Sequence, residues 1–202
     1  KMHYIGFTTS KWHEDKQALN KVTDSLHLDK KKPIVFMHIS GPYETRLDLI
    51  STIIDGSKYF RKDVQFIISE GKPNGNIIPR RISSSGWYYE WCPVRDEIFA
   101  LSDLIVLRGG HEAISHAIVH GKPMVTIPIQ NHGEQLGNSE KVERLKIGIR
   151  LEASNADAYH IAEAIHEILD NESYLENVTK IKTVTDRFDG INNTLNIIRS
   201  FI

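Results

Sequence analysis

The chain has 202 residues and a formal net charge of −1 at pH 7. This length suits one domain, or one domain with an extension, and allows a substantial apolar core. The nearly neutral balance argues against a nucleic-acid surface or a polybasic membrane patch, so we expect no nucleic-acid partner. The single cysteine, Cys92, excludes an internal disulfide and leaves no cysteine pair to hold zinc.

The sequence contains no run of roughly 18 uncharged apolar residues, the length of a membrane-spanning helix, and no recognisable signal peptide. Together with the lone cysteine, this favours a cytoplasmic location. Peripheral attachment to the inner face of the membrane stays open as an alternative. Lys1 precedes Met2, so we expect further residues, or a whole domain, upstream of this chain.

Residues 1–32 are interpreted as a linker and lead-in segment that is weakly helical over 16–27. Continuous apolar, β-branched runs then recur and predict strands that are buried on both faces. These runs cover residues 33–40, 64–69, 86–91, 103–108, 123–129 and 147–151. The spacing of apolar residues predicts helices after the first run and over 95–102, 111–120, 134–146, 157–170 and within 173–200. Glycine, proline and charged residues predict a loop over 70–81.

Strands that alternate with helices predict a parallel sheet with right-handed crossovers and helices on both faces. We therefore expect residues 33–202 to form a doubly wound α/β domain. In such sheets, ligands bind at the carboxyl ends of the strands, near the point where the strand order reverses. The loops with the most polar chemistry in this chain all follow predicted strands.

The fourth predicted strand runs into Arg108, Gly109 and Gly110 and then into a helix. A helix amino terminus presents unpaired N–H groups and the positive end of the helix dipole, and glycines let an anion approach the backbone closely. Arg108 adds a fixed positive charge, so the segment predicts a phosphate site. A simple tight turn explains the glycines equally well. The Rossmann and P-loop signatures are absent.

The histidines of this helix do not predict a metal site. His111 and His116 are five residues apart, which places them about 140° apart around a helix. His116 and His120 share a helical face, but the sequence shows no third ligand near them. We expect no metal ion and no other cofactor.

The loop after the fifth predicted strand is crowded with polar side chains. Their many donors and acceptors suit a ligand with several hydroxyl groups, such as a sugar, and helix capping explains them equally well. The side chains are those of Gln130, His132, Glu134, Gln135 and Asn138.

Taken in series, these motifs resemble the donor-binding half of GT-B glycosyltransferases, which include the bacterial peptidoglycan N-acetylglucosaminyltransferase and the plant UDP-sugar transferases. The plant signature reads W-C-P-Q, then H-C-G-W-N-S-x-x-E, then G-x-P, then P-x-x-x-D-Q-x-x-N. This chain has WCPV at 91–94, RGGHEAISH at 108–116, GKP at 121–123 and PIQNHGEQLGN at 128–138. The stretch VFMHISGPYETR, residues 35–46, looks like the first glycine-rich donor loop of the family.

The resemblance implies a Rossmann-like C-terminal lobe that binds a nucleotide-sugar donor, most often UDP-linked. Trp91 and the loop with Val94 would lie near the base, and Ser40 and Gly41 would line the other side of the cleft. Glu134 and Gln135, with Asn138 in the same motif, would face the sugar hydroxyls. The residues against the diphosphate would be Arg108, Gly109, Gly110, His111, Glu112 and Ala113.

Three positions depart from the family pattern. His116 stands where the family has the glutamate that holds both ribose hydroxyls, and an imidazole cannot accept two hydrogen bonds as a carboxylate does. Val94 replaces a base-reading glutamine. Glu112 and Ala113 replace a phosphate-binding Asn-Ser pair, and a glutamate there is unfavourable unless it turns away or pairs with Arg108. One hypothesis is that Glu112 takes over the ribose contacts.

Glycosyltransferases of this kind generally need no bound metal, so the helix amino terminus and Arg108 would meet the charge of the leaving group. The general base normally belongs to the preceding domain, and the catalytic residue therefore stays unassigned. The resemblance implies an inverting hexosyltransferase whose acceptor, lipid-linked acceptors included, binds to an N-terminal domain or a separate subunit. Two alternatives stay open: a non-catalytic nucleotide-binding subunit, and a nucleotide-sugar epimerase of the same fold.

Overall fold

The computed structural model describes residues 2–9 and 12–201. The strands are β1 (Ile34–His38), β2 (Gln65–Ser69), β3 (Arg80–Arg81), β4 (Gly86–Tyr89), β5 (Leu104–Leu107), β6 (Met124–Thr126) and β7 (Gly148–Arg150). The helices are α1 (Lys16–Ser25), α2 (Tyr43–Gly56), α3 (Arg95–Leu101), α4 (His111–Val119), α5 (Gly133–Arg144), α6 (Ala158–Asp170), α7 (Ser173–Thr185) and α8 (Gly190–Arg199). In this part of the chain, no helix has the length and apolarity required to cross a lipid bilayer.

The strands form one sheet in the order β3-β4-β2-β1-β5-β6-β7. All neighbouring pairs are parallel except β3 and β4, which are antiparallel. The prediction of a doubly wound α/β domain is confirmed. The strand order reverses between β1 and β5, where His38 lies opposite Leu107. The crevice expected at such a reversal therefore lies at the carboxyl ends of these two central strands.

Successive side chains of the central strands enter two different cores, because side chains alternate between the faces of a strand. Val35 and Met37 of β1 pack in the core covered by α2 and α6. Ile34 and Phe36 pack in the core formed with α1, α3, α4, α5 and α7. Burial on both faces explains why the strands read as continuous rather than alternating apolar runs.

Two expected boundaries are wrong. The predicted loop over 70–81 ends in β3, a strand of two exposed arginines that carries no apolar pattern. The strand expected over 123–129 is only Met124–Thr126. Prolines stand at positions 123 and 128, and a proline has no N–H to donate to a sheet.

Helix α1 lies inside the segment expected to be a linker, and it packs against the domain. Val22 and Leu26 are buried in the same core as Phe36. The indole nitrogen of Trp87 donates to the carbonyl oxygen of Leu26 at 2.9 Å. The domain boundary at residue 32 stays a prediction, but the helix before it contributes to the core.

The start of β7 leaves no room for a side chain. A Cβ on Gly148 would lie 1.9 Å from the carbonyl oxygen of Met124. We expect Gly148→Ala to lower the free energy of unfolding by about 2–4 kcal/mol, because backbone in the sheet must move. The measurement is urea denaturation followed by circular dichroism.

Gly137→Ala is the matched control, since a Cβ on this glycine of α5 meets nothing within 4 Å. Alanine favours a helix over glycine by about 0.5–1 kcal/mol, so this variant is expected to be as stable as the original chain or more so. Equal stability of the two variants would contradict the packing of β7 against β6.

Candidate functional site

A cavity of about 700 Å³ opens at the carboxyl ends of β1, β2 and β4. This volume falls within the range of about 300–1,000 Å³ that is common for small-molecule sites. Apart from Trp12, the wall is formed by residues that end or follow these strands or that begin α3 and α4. They are Trp12, His38, Ser40, Ser69, Gly71, Trp91, Cys92, Pro93, Arg95, Asp96, Glu97 and Glu112.

The structure brings part of the predicted site together around this cavity. Ser40, Trp91 and Glu112 line it, and Gly41 and Val94 are next to lining residues in the chain. The other predicted residues lie outside the wall, although they surround the beginning of α4 or follow it. They are Arg108, Gly109, Gly110, His111, Ala113, His116, Glu134, Gln135 and Asn138. Their roles toward a ligand stay predictions.

The two glycines before α4 serve different purposes. Gly109 has a φ of +83°, and a Cβ there would lie 2.5 Å from Oγ of Ser139. Both its conformation and its packing against α5 therefore require glycine. Gly110 caps α4 without a side-chain hydrogen bond, and a Cβ there would meet nothing within 4 Å. Space is therefore open at the position that a side chain of residue 110 would take.

The polar side chains of α5 hold the beginning of α4. Glu134 accepts a hydrogen bond from the backbone N–H of His111 at 3.0 Å. The Asn138 side chain donates to the carbonyl oxygen of Gly109 at 3.2 Å. The Gln135 side chain accepts from backbone of the preceding loop. A carboxylate is favourable at a helix amino terminus, and here it occupies one of the N–H donors that the sequence analysis assigned to phosphate.

Arg108 is buried, and backbone oxygens take up its guanidinium group. Its Nε donates to the carbonyl oxygen of Ile127 at 3.0 Å, and its Nη1 donates to that of Thr45 at 3.1 Å. Burial lowers the pKa of this group. Of the two arrangements considered for Glu112, the structure does not show the pairing with Arg108, because Glu112 pairs with Arg95.

The Glu112 carboxylate stays charged and reaches the cavity. Its Oε1 lies 3.0 Å from Nε2 of His116 and 3.2 Å from Nη1 of Arg95. The hydrogen bond with His116, and then the charge of Arg95, lower the pKa of Glu112 to about 2 although partial burial opposes this. The side chain is 60% exposed. Only one oxygen of this carboxylate is paired with Arg95 and His116. The charged group can therefore accept hydrogen bonds from the hydroxyl groups of a ligand in the cavity.

His38, the last residue of β1, is a candidate that the sequence analysis missed. It is 8% exposed and lines the cavity. Its Nδ1 is buried and has no hydrogen-bond partner among the described residues. Burial, and then the charge of Arg95, lower its pKa to about 4. A histidine at the end of an otherwise apolar strand was the available signal, since buried polar groups are normally bonded.

A buried ion pair supports the loop after β1, and the sequence analysis also missed it. Nη2 of Arg46 lies 3.0 Å from Oε1 of Glu70, and Nη1 of Arg46 donates to the carbonyl oxygen of Gly41 at 3.0 Å. The Tyr88 hydroxyl donates to the other Glu70 oxygen. Burial, followed by this bond, raises the pKa of Tyr88. The network joins the carboxyl ends of β1, β2 and β4.

The lowered pKa of His38 predicts a loss of stability in mild acid. Unfolded chains bind a proton at this histidine near pH 6.5, whereas the folded chain binds it only near pH 4. Between these values the unfolded state binds more protons, so the free energy of unfolding falls as the pH is lowered, by up to about 3 kcal/mol. We expect His38→Gln to flatten the dependence of the unfolding free energy on pH between 7 and 4.5.

His13→Gln is the control for this measurement, because His13 is exposed, and it is expected to keep the original pH dependence. If His38→Gln also kept it, His38 would be accessible to protons in the folded chain.

Comparison with known proteins identifies the family. Residues 17–193 match the family model described as glycosyltransferase family 28 C-terminal domain. An uncharacterized glycosyltransferase of Methanopyrus kandleri is 31% identical over 124 residues, which are 57% of this chain and 36% of that protein. A UDP-glycosyltransferase of Fusarium mangiferae is 32% identical over 102 residues, 48% of this chain and 18% of that protein. The chain thus spans well under half the length of both relatives.

A solved structure shares the fold at low sequence identity. The glycosyltransferase SsfS6 of Streptomyces sp. SF2575, in complex with thymidine diphosphate, superposes with a TM-score of 0.59 at 15% identity. The match covers 85% of this chain and 42% of that one. The family model covers most of the chain and the doubly wound sheet agrees with it, so the chain belongs to the family of glycosyltransferase family 28 C-terminal domains, of the GT-B type.

Proposed function

We propose that this chain is the donor-binding lobe of an enzyme that transfers a sugar from a nucleoside diphosphate to an acceptor hydroxyl group. The nucleotide that we propose first is UDP. The observation that carries the proposal is the cavity at the carboxyl ends of β1, β2 and β4, beside the reversal of the strand order, with Trp91 and the charged Glu112 in its wall. Two comparisons support a nucleotide ligand. The Fusarium relative is named as a UDP-glycosyltransferase, and the Streptomyces structure holds thymidine diphosphate.

The proposal places the base against Trp91. It is 45% exposed and lines the cavity, so part of the indole is accessible to a ligand. Val94, which stands where related enzymes have a base-reading glutamine, is the amino-terminal cap of α3 and offers no polar side chain. Base selection would then depend on stacking and on the backbone of this loop.

The ribose hydroxyl groups are assigned to Glu112. Its carboxylate can accept two hydrogen bonds, which the imidazole of His116 cannot do. Glu112 and His116 are bonded to each other one helical turn apart. The histidine in the family's glutamate position therefore orients a carboxylate that lies one turn earlier, and this contact supports the transfer of the ribose role to Glu112.

The diphosphate is assigned to the first turn of α4, where Gly110 leaves open space. Arg95 is the one arginine or lysine among the described residues of the cavity wall. We therefore propose that Arg95, rather than Arg108, contacts the diphosphate, while Arg108 supports the loop beneath it. The helix dipole and the guanidinium group meet the charge of the leaving diphosphate, so donor binding requires no metal ion in this proposal.

Transfer requires a second lobe. The acceptor oxygen attacks the anomeric carbon from the face opposite the diphosphate, the carbon–diphosphate bond breaks, and a general base removes the acceptor proton. We assign the base and the acceptor site, for a lipid-linked or another acceptor, to an N-terminal domain or a separate subunit. We place the enzyme on the cytoplasmic side of the membrane. The single cysteine, Cys92, is free and buried, which agrees with a reducing compartment.

Nucleotide binding tests the proposal directly. UDP, GDP, TDP and ADP are added separately to the chain, and the shift of the thermal unfolding midpoint is measured. A ligand at 100 times its dissociation constant stabilises the folded state by about 2.7 kcal/mol. We expect the largest shift with UDP and its loss in Trp91→Ala, because the stacking surface is removed.

If none of the four nucleotides shifted the thermal unfolding midpoint, the proposal would be wrong. A UDP shift without sugar transfer, even with the acceptor lobe supplied, would assign the chain to a non-catalytic nucleotide-binding subunit.

Two arginine variants separate ligand contact from structural support. We expect Arg95→Gln to weaken UDP binding by about tenfold, the value of one charge-assisted hydrogen bond, with uridine binding nearly unchanged. Arg108→Gln is expected to lower the unfolding free energy, because the carbonyl oxygens of Ile127 and Thr45 lose their donors. Calorimetric titration and urea denaturation measure the two effects. If only Arg108→Gln affected UDP selectively, the diphosphate would belong to Arg108.

A further inference from the structure

A second cavity, of about 380 Å³, adjoins the first and contains a cluster of metal-ligating side chains. Asp96 comes from the first turn of α3, His116 from the last turn of α4, and His120 caps the end of α4. One ligand atom from each residue lies within 4.8 Å of the other two. In the sequence, His116 and His120 had no third ligand near them. The fold supplies it, because α3 and α4 pack on the same face of the sheet.

The two histidines have the geometry of a chelating pair. The backbone N–H of His120 donates to the carbonyl oxygen of His116 at 3.0 Å, so the helical turn between them is complete. Residues four apart on a helix project from one face. Their rings are nearly parallel, with an interplanar angle of 17° and centroids 6.5 Å apart. One nitrogen of each ring and a carboxylate oxygen of Asp96 lie close enough together to bind one ion.

Two hydrogen-bonding facts point to a missing ligand. Nδ1 of His120 is buried and has no partner among the described residues, although buried polar atoms normally have one. Nδ1 of His116 lies 3.7 Å from Oδ1 of Asp96, close to the separation of about 3.4 Å between two ligands of a tetrahedral zinc ion. Nε2 of His116 is bonded to Glu112. A carboxylate on the far nitrogen of a histidine ligand is the usual outer contact of a metal site.

Charged side chains of both signs surround the cluster. The guanidinium group of Arg95 is nearby, with Nε 3.4 Å from Oδ1 of Asp96 and Nη2 3.3 Å from Nε2 of His116. The carboxylates of Asp96 and Glu112 both pair with this guanidinium group, while the charges of Lys122 and Lys182 act on His120. Two imidazoles and one carboxylate favour zinc, nickel, copper or cobalt over magnesium or calcium, which prefer oxygen ligands.

We propose that Asp96, His116 and His120 form a binding site for a divalent transition-metal ion, with Zn²⁺ as the representative. The three residues supply three ligands, and the cavity leaves a fourth position for water. The ion fastens the first turn of α3 to the end of α4. Because Arg95 belongs to the same turn of α3, the bound ion stiffens one wall of the neighbouring cavity. The site does not depend on the proposed nucleotide function, since the ion can bind the chain alone.

The test is calorimetric titration of Zn²⁺ into the tag-free chain after treatment with a chelator, at pH 7.5. We expect one equivalent to bind and the thermal unfolding midpoint to rise. Asp96→Asn keeps the shape of the side chain but removes its charge, and His120→Gln removes an imidazole. Each is expected to weaken the binding by about tenfold or more, since even outer contacts of metal sites are worth this much.

His160→Gln is the matched control. His160 is half exposed and pairs with Asp157 at 2.9 Å, so it is another histidine–carboxylate pair on a helix. It is not part of the ligand cluster found among the described residues, and its loss is expected to leave the tight Zn²⁺ site unchanged. If Zn²⁺ did not bind, or bound equally to the original chain and to Asp96→Asn and His120→Gln, the proposal would be overturned.

A second readout locates the ion. The indole ring of Trp12 lies 4.9 Å from the ring of His120, so a bound Ni²⁺ or Cu²⁺ ion is expected to quench its fluorescence. Trp12→Phe should remove this quenching while the calorimetric binding of Zn²⁺ remains. Quenching that was undiminished in Trp12→Phe would place the ion nearer to another tryptophan and would contradict the site. This measurement also covers the case in which His120→Gln does not fold.

Discussion

Two buried guanidinium groups on backbone carbonyl oxygens hold the carboxyl edge of this sheet. Arg46 donates to Gly41 in the loop between β1 and α2, and Arg108 donates to Thr45 in the first turn of α2 and to Ile127 after β6. The charge of Arg46 is balanced by Glu70 within the same interior. Removing one partner of such a pair leaves an uncompensated buried charge, which costs about 3–5 kcal/mol. The shape of this segment therefore depends on buried charges that are bonded within the protein.

Structural support and exposure to the cavity are provided by different charged residues in the candidate site. The deep arginines fix the backbone, while Arg95 and Glu112, at the beginnings of two helices, reach the cavity with partly exposed side chains. Glu134 and Asn138 hold the start of α4 from the side of α5. The amino terminus of α4 is thus positioned before any ligand arrives, and preorganised dipoles of this kind are the ones that stabilise developing charge effectively.

Much of the fold was predictable from the sequence. Strands buried on both faces have continuous apolar runs, such as residues 103–108. The helices predicted between these strands indicated a parallel sheet. The motif positions near α4 were also predictable, since they follow strand ends. The partners of individual side chains were not. The sequence suggested that the charge of Arg108 is available to a ligand, but in the folded chain its guanidinium group donates to backbone carbonyl oxygens. Asp96 and His116 meet because two helices lie together on the sheet, a contact that no local spacing reveals.

The last strand on one side of the sheet, β3, consists of Arg80 and Arg81, whose guanidinium groups lie over the rings of Tyr88 and Trp87 at 5.0 and 5.5 Å. A strand this short offers few free backbone groups to a passing chain, and like charges would face any copy of itself that tried to pair with it. Growth of the sheet from one molecule into the next is therefore discouraged at this border. At high protein concentration, strand β3 is therefore a poor starting point for the assembly of fibres.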